Sequence, residues 1–222
     1  MDHSRDSARE QGSTTATAGC QCLGIMLGVT FGARHVMLIP ILATAIRVIW
    51  VIVERRNFRR TRVRPTQNWD KNSAKLWRLV NAIEPVGMVL GFTGIGHIQT
   101  ASAIISLLGL FFLMAGIAIR WTAVYTLGKY FTGIVVIRHD HQLIRTGLYK
   151  HLRHPAYAGT LLAHLGLGMS FSNWFSLAFS SVPYFLVAFY RMRVEEQALA
   201  DAFGAEYTDY CKTAKRLIPG LY

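Results

Sequence analysis

Long apolar runs, broken by short polar ones, set the rhythm of this chain. From residue 36 to 53 the segment VMLIPILATAIRVIWVIV is interrupted only by Arg47. A second run covers 79 to 96 (LVNAIEPVGMVLGFTGIG), and a third, 101 to 119 (ASAIISLLGLFFLMAGIAI), carries no charge. Two more, 156 to 171 and 174 to 190, meet at Ser172-Asn173. A helix needs about 20 apolar residues to cross a bilayer. The pattern therefore predicts an all-α integral membrane helical bundle of about five transmembrane helices, the last two a tight hairpin packed against other protein. Residues 22 to 33 are also apolar but stop at Arg34-His35, and either extend the first helix or form a short interfacial piece.

The polar segments orient that bundle. Residues 1–19 are polar and rich in small side chains, which predicts a disordered tail and not a secretory signal. Neither end carries a lipidation motif, and no internal repeat is visible. Hydrophobic residues make up 52% of the chain and charged ones 16%, against roughly a quarter charged in soluble domains. Yet 24 Lys+Arg face 12 Asp+Glu, a net charge of +12. A nucleic-acid binder this basic would spread charge along the chain. Here Arg55, Arg56, Arg59, Arg60, Arg62, Arg64, Lys71, Lys75 and Arg78 lie between the first two runs. Arg120, Lys129, Arg138, Arg145, Lys150 and Arg153 follow the third, and the other two connections have no Lys or Arg. The positive-inside rule then places both basic loops and the C-terminus in the cytoplasm and the N-terminus outside. Membrane lipids with anionic head groups are the expected partners, and no nucleic acid.

Several single residues change the picture less. Arg47 is expected to snorkel toward a head group, and Trp69, Trp77, Trp121 and Trp174 lie near run ends as interfacial anchors do. Glu84-Pro85 and His164 are ionisable groups at membrane depth. They read either as functional or as a kink with a hydrogen bond to a neighbouring helix. Cys20, Cys22 and Cys211 offer a C-x-C pair with no second pair, so no metal or disulfide is expected.

Candidate chemistry gathers after the third run. The stretch GKYFTGIVVIRHDHQLIRTGLYKHLRHP, Gly128 to Pro155, is too polar to cross a membrane. Val135-Val136-Ile137 suits a short extended piece and Gly147 a turn. Pro155 disfavours helix at His154 and suits the first position of the next helix. His141, Tyr149, Arg153, His154 and Tyr157 thus fall on a loop or at the mouth of the fourth helix, where crowded polar groups suggest a site. Beyond the fifth run, RMRVEEQALADAFGAEYTDY reads as a helix leaving the membrane and ending at Phe203-Gly204. Arg191 and Glu195 share a face of it, on spacing alone an ordinary intrahelical ion pair.

The combined pattern is more specific. H-x-L-I-x-x-G-x-Y-x-x-x-R-H-P-x-Y-x-G at His141 to Gly159 precedes a hairpin. R-x-x-x-E-E-x-x-L-x-x-x-F-G-x-E-Y-x-x-Y follows at Arg191 to Tyr210, then R-L-I-P at Arg216 to Pro219. This closely resembles the isoprenylcysteine carboxyl methyltransferase family, within a wider group that includes phospholipid N-methyltransferases. Leu148 departs from the proline common in the family's G-P-Y turn, and Ile144 stands where valine is common. The resemblance covers about the last hundred residues strongly and the first hundred hardly at all. It implies S-adenosyl-L-methionine as cofactor, held between a cytoplasmic loop and the C-terminal helix by His141, Leu143, Ile144, Tyr149, His154, Pro155 and Tyr157. Glu195 would close the pocket, Glu196 assist, and Arg191 face a lipophilic or prenylated acceptor, leaving Arg191 and Glu195 as the catalytic pair.

The expected domain plan is a tail over 1–19, transmembrane helices and a basic loop over 20–127, and a methyltransferase region over 128–222. A phospholipid amine acceptor is the alternative within the same chemistry. Outside it stands a membrane reductase or a non-catalytic relative sharing the C-terminal half.

Overall fold

The computed structural model describes residues 37–57, 71–132, 134 and 141–218. The tail, residues 20–35, most of the first basic loop with Trp69, and Val135–Ile137 lie outside the described residues. From Ile39 onward the chain forms one compact unit. Its elements are α1 (Met37–Asn57), then α2 (Ser73–Gly91), α3 (Ser102–Leu127), α4 (Pro155–Ser170), α5 (Trp174–Phe203) and α6 (Ala205–Thr213). Short 3-10 turns occupy Gly128–Tyr130 and Gly147–Lys150. No strand occurs among the described residues, only two isolated bridges. The fold is an all-α membrane bundle.

Burial runs opposite to that of a soluble protein. On α3, Ile104, Leu107, Phe111 and Met114 are exposed, while Ser106, Gly109, Leu113, Gly116, Arg120 and Ala123 face inward. Large apolar groups turned outward over whole helices demand an apolar solvent. Helices α1, α3 and α5 are long and apolar enough to cross a membrane. At 1.5 Å per residue the 30 residues of α5 rise about 45 Å, well beyond a hydrocarbon core of about 30 Å. The fifth run and the charged helix after it are therefore one continuous element. The helix is longer than such a layer is thick, and its charged turns begin at Arg191. The second helix begins at Ser73, earlier than its apolar run, because the run's polar forerunner is equally good helix former.

The seam between α3 and α4 is built from small residues. A Cβ at Gly116 would strike the backbone of Ala163 and Gly159, and one at Gly166 that of Leu113 and Gly109. Where lipid is as apolar as Leu, such close backbone approach is what holds helices together. The hairpin turn is pinned from the neighbouring loop. Asn173 Oδ1 accepts from the backbone N–H groups of Phe175 (2.9 Å) and Ser176 (3.2 Å), while its Nδ2 donates to the Ile95 carbonyl at 2.7 Å.

Across the bundle, α1, α2, α4 and α5 meet on buried charge. Arg47 is 6% exposed and does not snorkel. Its guanidinium bonds Glu84 (2.6 Å), Asn81 (3.0 Å) and the Tyr184 hydroxyl (3.1 Å) and lies over the Trp50 ring. The physical reason is the partner: a carboxylate one helix away replaces the head group an isolated Arg would seek. His164 Nε2 stands 3.4 Å from Glu84, and its ring stacks near Tyr184. Arg120, placed by its charge in a loop, sits inside α3. It pairs with Glu54 and donates to Thr160 Oγ1 at 2.8 Å.

Candidate active site at the mouth of the hairpin

Local sequence brings the loop to α4. Gly147 takes φ +60°, a left-handed turn that Gly adopts without strain. Pro155 occupies the first turn of α4, with His154 non-helical before it. The C-terminal strap then runs alongside. Arg153 N–H donates to the Lys215 carbonyl (2.7 Å), His154 N–H to Arg216 (3.2 Å), and Lys215 N–H to His151 (3.0 Å). From α6 the Tyr210 hydroxyl donates to the carbonyls of Tyr149 (2.6 Å) and Leu152 (3.2 Å). Burial pushes that phenol up to about 12, so it remains a donor at neutral pH.

Glu196 is the knot of this assembly. Its carboxylate meets His154 Nε2 at 3.1 Å, Arg153 at 3.1 Å and Arg216 at 2.6 Å, joining the loop, α5 and the strap. Three cationic or imidazole partners around one carboxylate hold three chain segments, a structural task.

Glu195, one residue earlier, turns elsewhere. It hydrogen-bonds the Tyr157 hydroxyl. Burial, then the Glu195 carboxylate, pushes the Tyr149 hydroxyl well above the usual tyrosine range and keeps it protonated. One helical turn before, Arg191 is 7% exposed. Its Nε donates to Tyr157 Oη at 3.1 Å and one Nη to Ser73 Oγ at 3.1 Å, with the guanidinium 5.8 Å from the centre of the Trp77 ring. Those bonds cross to α4 and α2, so Arg191 does more than pair along its own helix.

The remaining candidates surround this centre. Ile144 packs with Ala123, Tyr149 and Ala156. Leu143 packs with Tyr207, Tyr210 and Ala214. His141 lies between the Tyr130 and Phe203 rings, at 5.0 and 5.8 Å, and Pro155 is buried. Sequence reasoning missed Ser73, Trp77 and Arg216. Trp77, expected as an interfacial anchor, is half-buried and stands edge-on to Tyr157 and Tyr184. The signal was the inward stripe Ser73, Trp77, Val80, Glu84 at helical spacing on α2.

The family model for the isoprenylcysteine carboxyl methyltransferase (ICMT) family matches residues 107–201. Protein-S-isoprenylcysteine O-methyltransferase B of Arabidopsis thaliana is 31% identical over 144 residues, covering 64% of this chain and 71% of the relative. This chain belongs to that family. It is a membrane methyltransferase by descent. The Saccharomyces cerevisiae protein-S-isoprenylcysteine O-methyltransferase is 33% identical over 112 residues, which cover 47% of that relative and 50% of this chain. Among solved structures, the eukaryotic intramembrane Ras methyltransferase ICMT superposes with a TM-score of 0.51 at 24% identity, over 70% of this chain and 55% of that one. That likeness supports the family's membrane fold. The family-model match at residues 107–201 runs from α3 into α5 and includes part of the small-residue seam and the Arg191–Glu196 segment.

Proposed function

We propose that this chain transfers a methyl group from S-adenosyl-L-methionine to the carboxylate of a lipophilic, isoprenylcysteine-like acceptor at the membrane edge. One observation carries the reading. Tyr157 Oη accepts from Arg191 and contacts Glu195, so a cation and a carboxylate one turn apart on α5 are bridged by a single phenol at the mouth of α4. The cofactor's ammonium or ribose hydroxyls suit Glu195, and an acceptor carboxylate suits the planar fork of Arg191. The residue set fits the cofactor: the phenols of Tyr149 and Tyr157, the His141 ring between aromatic neighbours, and the apolar Leu143, Ile144 and Pro155 can meet its polar and flat parts. His154 and Glu196 serve by holding the loop to α5. Bound there, the cofactor supplies a sulfonium-activated methyl.

The chain's own contribution is positioning. The acceptor carboxylate is already ionised at neutral pH, so no general base is required. Arg191, its Nε held by Tyr157 Oη, would orient the acceptor carboxylate toward the bound cofactor. Opposite charges vanish as the methyl moves, so a dry site under the lipid favours the step. An amine acceptor fits less well, because its ammonium would face the Arg191 cation and need a base. In this reading the basic loops and C-terminus are cytoplasmic, near anionic lipid, and residues 128–222 hold the cofactor region.

The test uses purified full-length protein in detergent. Labelled S-adenosylmethionine should bind, and Glu195→Ala should weaken it about tenfold or more, the scale of one charged hydrogen bond. Arg191→Ala should leave that binding nearly intact while abolishing most transfer to a farnesylcysteine analogue. Label appearing on a phospholipid amine, with none on the prenylcysteine, replaces this acceptor. Absence of cofactor binding at millimolar concentration removes the reading.

A further inference from the structure

We infer that Trp77, on α2 and outside the segment matched by the family model, is a positioning residue that holds the Arg191 guanidinium in the plane the acceptor meets. The inference rests on the functional reading above. Arg191 reaches the site on the last turns of α5, and a long side chain there has several rotamers to choose among. Three recorded neighbours restrict it. Tyr157 Oη on α4 takes Nε at 3.1 Å and Ser73 Oγ on α2 takes one Nη at 3.1 Å. These two oxygens fix two points of the guanidinium plane. The Trp77 ring, 5.8 Å away from the guanidinium carbon, supplies the third constraint from the face. An indole attracts a cation through its negative π face, more strongly where water is excluded.

Trp77 is itself held. It stands edge-on to Tyr157 (6.2 Å, 76°) and to Tyr184 (5.5 Å, 84°), and packs against the cluster of Val80, Leu161, Tyr184 and Met192. Tyr184 is in turn fixed by hydrogen bonds to Asn81 and Glu84, at 3.0 Å each. The buried ion cluster is thus continuous, through two aromatic rings, with the group that recognises the acceptor. Ser73 and Trp77 are four apart, so a single helix face presents both contacts to Arg191.

The experiment compares Trp77→Leu and Trp77→Phe in full-length protein, with S-adenosylmethionine and a farnesylcysteine analogue as substrates. Trp77→Leu removes the π face and should raise the acceptor KM about tenfold, within reach of one desolvated cation–π contact. Affinity for S-adenosylmethionine should change less than about twofold. Trp77→Phe, which keeps an aromatic face, should recover most of the loss. In an Arg191→Gln background Trp77→Leu should add nothing, because the cation it acts through is gone. A readout without turnover accompanies these: in 15N-arginine-labelled protein the Arg191 Nε–H resonance, assigned by its absence in Arg191→Gln, should shift in Trp77→Leu and return toward its position in Trp77→Phe.

Unchanged acceptor KM in Trp77→Leu, additive losses with Arg191→Gln, or an unmoved resonance overturns the inference and leaves the functional reading standing. Wild-type protein that binds no S-adenosylmethionine and methylates no prenylcysteine overturns the functional reading and this inference with it. A Trp77→Leu protein that fails to fold is answered by Trp77→Met, which fills the space without a π face. If Trp77→Met keeps the wild-type acceptor KM and Arg191 resonance, the inference falls.

Discussion

The bundle is joined by two seams of opposite chemistry. Between α3 and α4, glycines at 109, 116, 159 and 166 let backbones touch. Between α1, α2, α4 and α5, Arg47, Glu84, Asn81, Tyr184 and His164 meet in one buried polar cluster. The first seam tolerates no added volume, and the second no lost partner. Dispersion between close backbones is non-specific in register beyond its shape. A buried ion pair is costly to assemble, but once formed it penalises any slip that separates the charges. The difference bears on the site, because α2 reaches Arg191 through Ser73 and Trp77 and is held to α1 and α5 by the polar cluster.

The largest break in this contrast comes from one half of the ion pair. Glu84→Ala should destabilise the protein by about 3–5 kcal/mol, since Arg47 is left buried without its carboxylate. Replacing both, as Arg47→Met with Glu84→Leu, should restore much of that loss in the thermal midpoint measured in detergent. If the single and double variants melt alike, the pair is not the unit that holds α1 to α2. Gly116→Ala tests the other seam. Its methyl meets the α4 backbone, so about 1–3 kcal/mol should be lost, and Gly116→Leu should lose more. Here no second substitution on the polar side should compensate. Smallest of all, Arg145→Ala removes an exposed pair with Glu206 at 2.7 Å. It should cost less than about 1 kcal/mol in the same melting assay, and a larger loss would mean that α6 docking depends on it.

Parts of the site were readable from local signals. Gly147 and Pro155 announced a turn and a helix start, and Phe203-Gly204 a helix end, because backbone conformational limits act within a few residues. The motif order around the hairpin named the segments that converge. What local signals could not supply was the division of labour between neighbours. Glu195 and Glu196 look equivalent in a string of letters, yet a rotation of about 100° per residue around a helix turns one to Tyr157 and the other to Arg153, His154 and Arg216. Arg47 and Arg120 misled for a related reason. Each sits in or beside an apolar run, and whether such a cation seeks water depends on a carboxylate on another helix, Glu84 for one and Glu54 for the other.

The amino-acid order alone determined that this chain lives in a membrane as packed helices, because an apolar solvent leaves long backbone segments no other way to satisfy their hydrogen bonds. It also determined where the polar loop interrupts those helices. Tertiary structure decided which charges are sealed inside, which glycines are contacts, and that a tryptophan outside the segment matched by the family model reaches Arg191. Those outcomes depend on distances between helices far apart in the chain, and no local pattern encodes them.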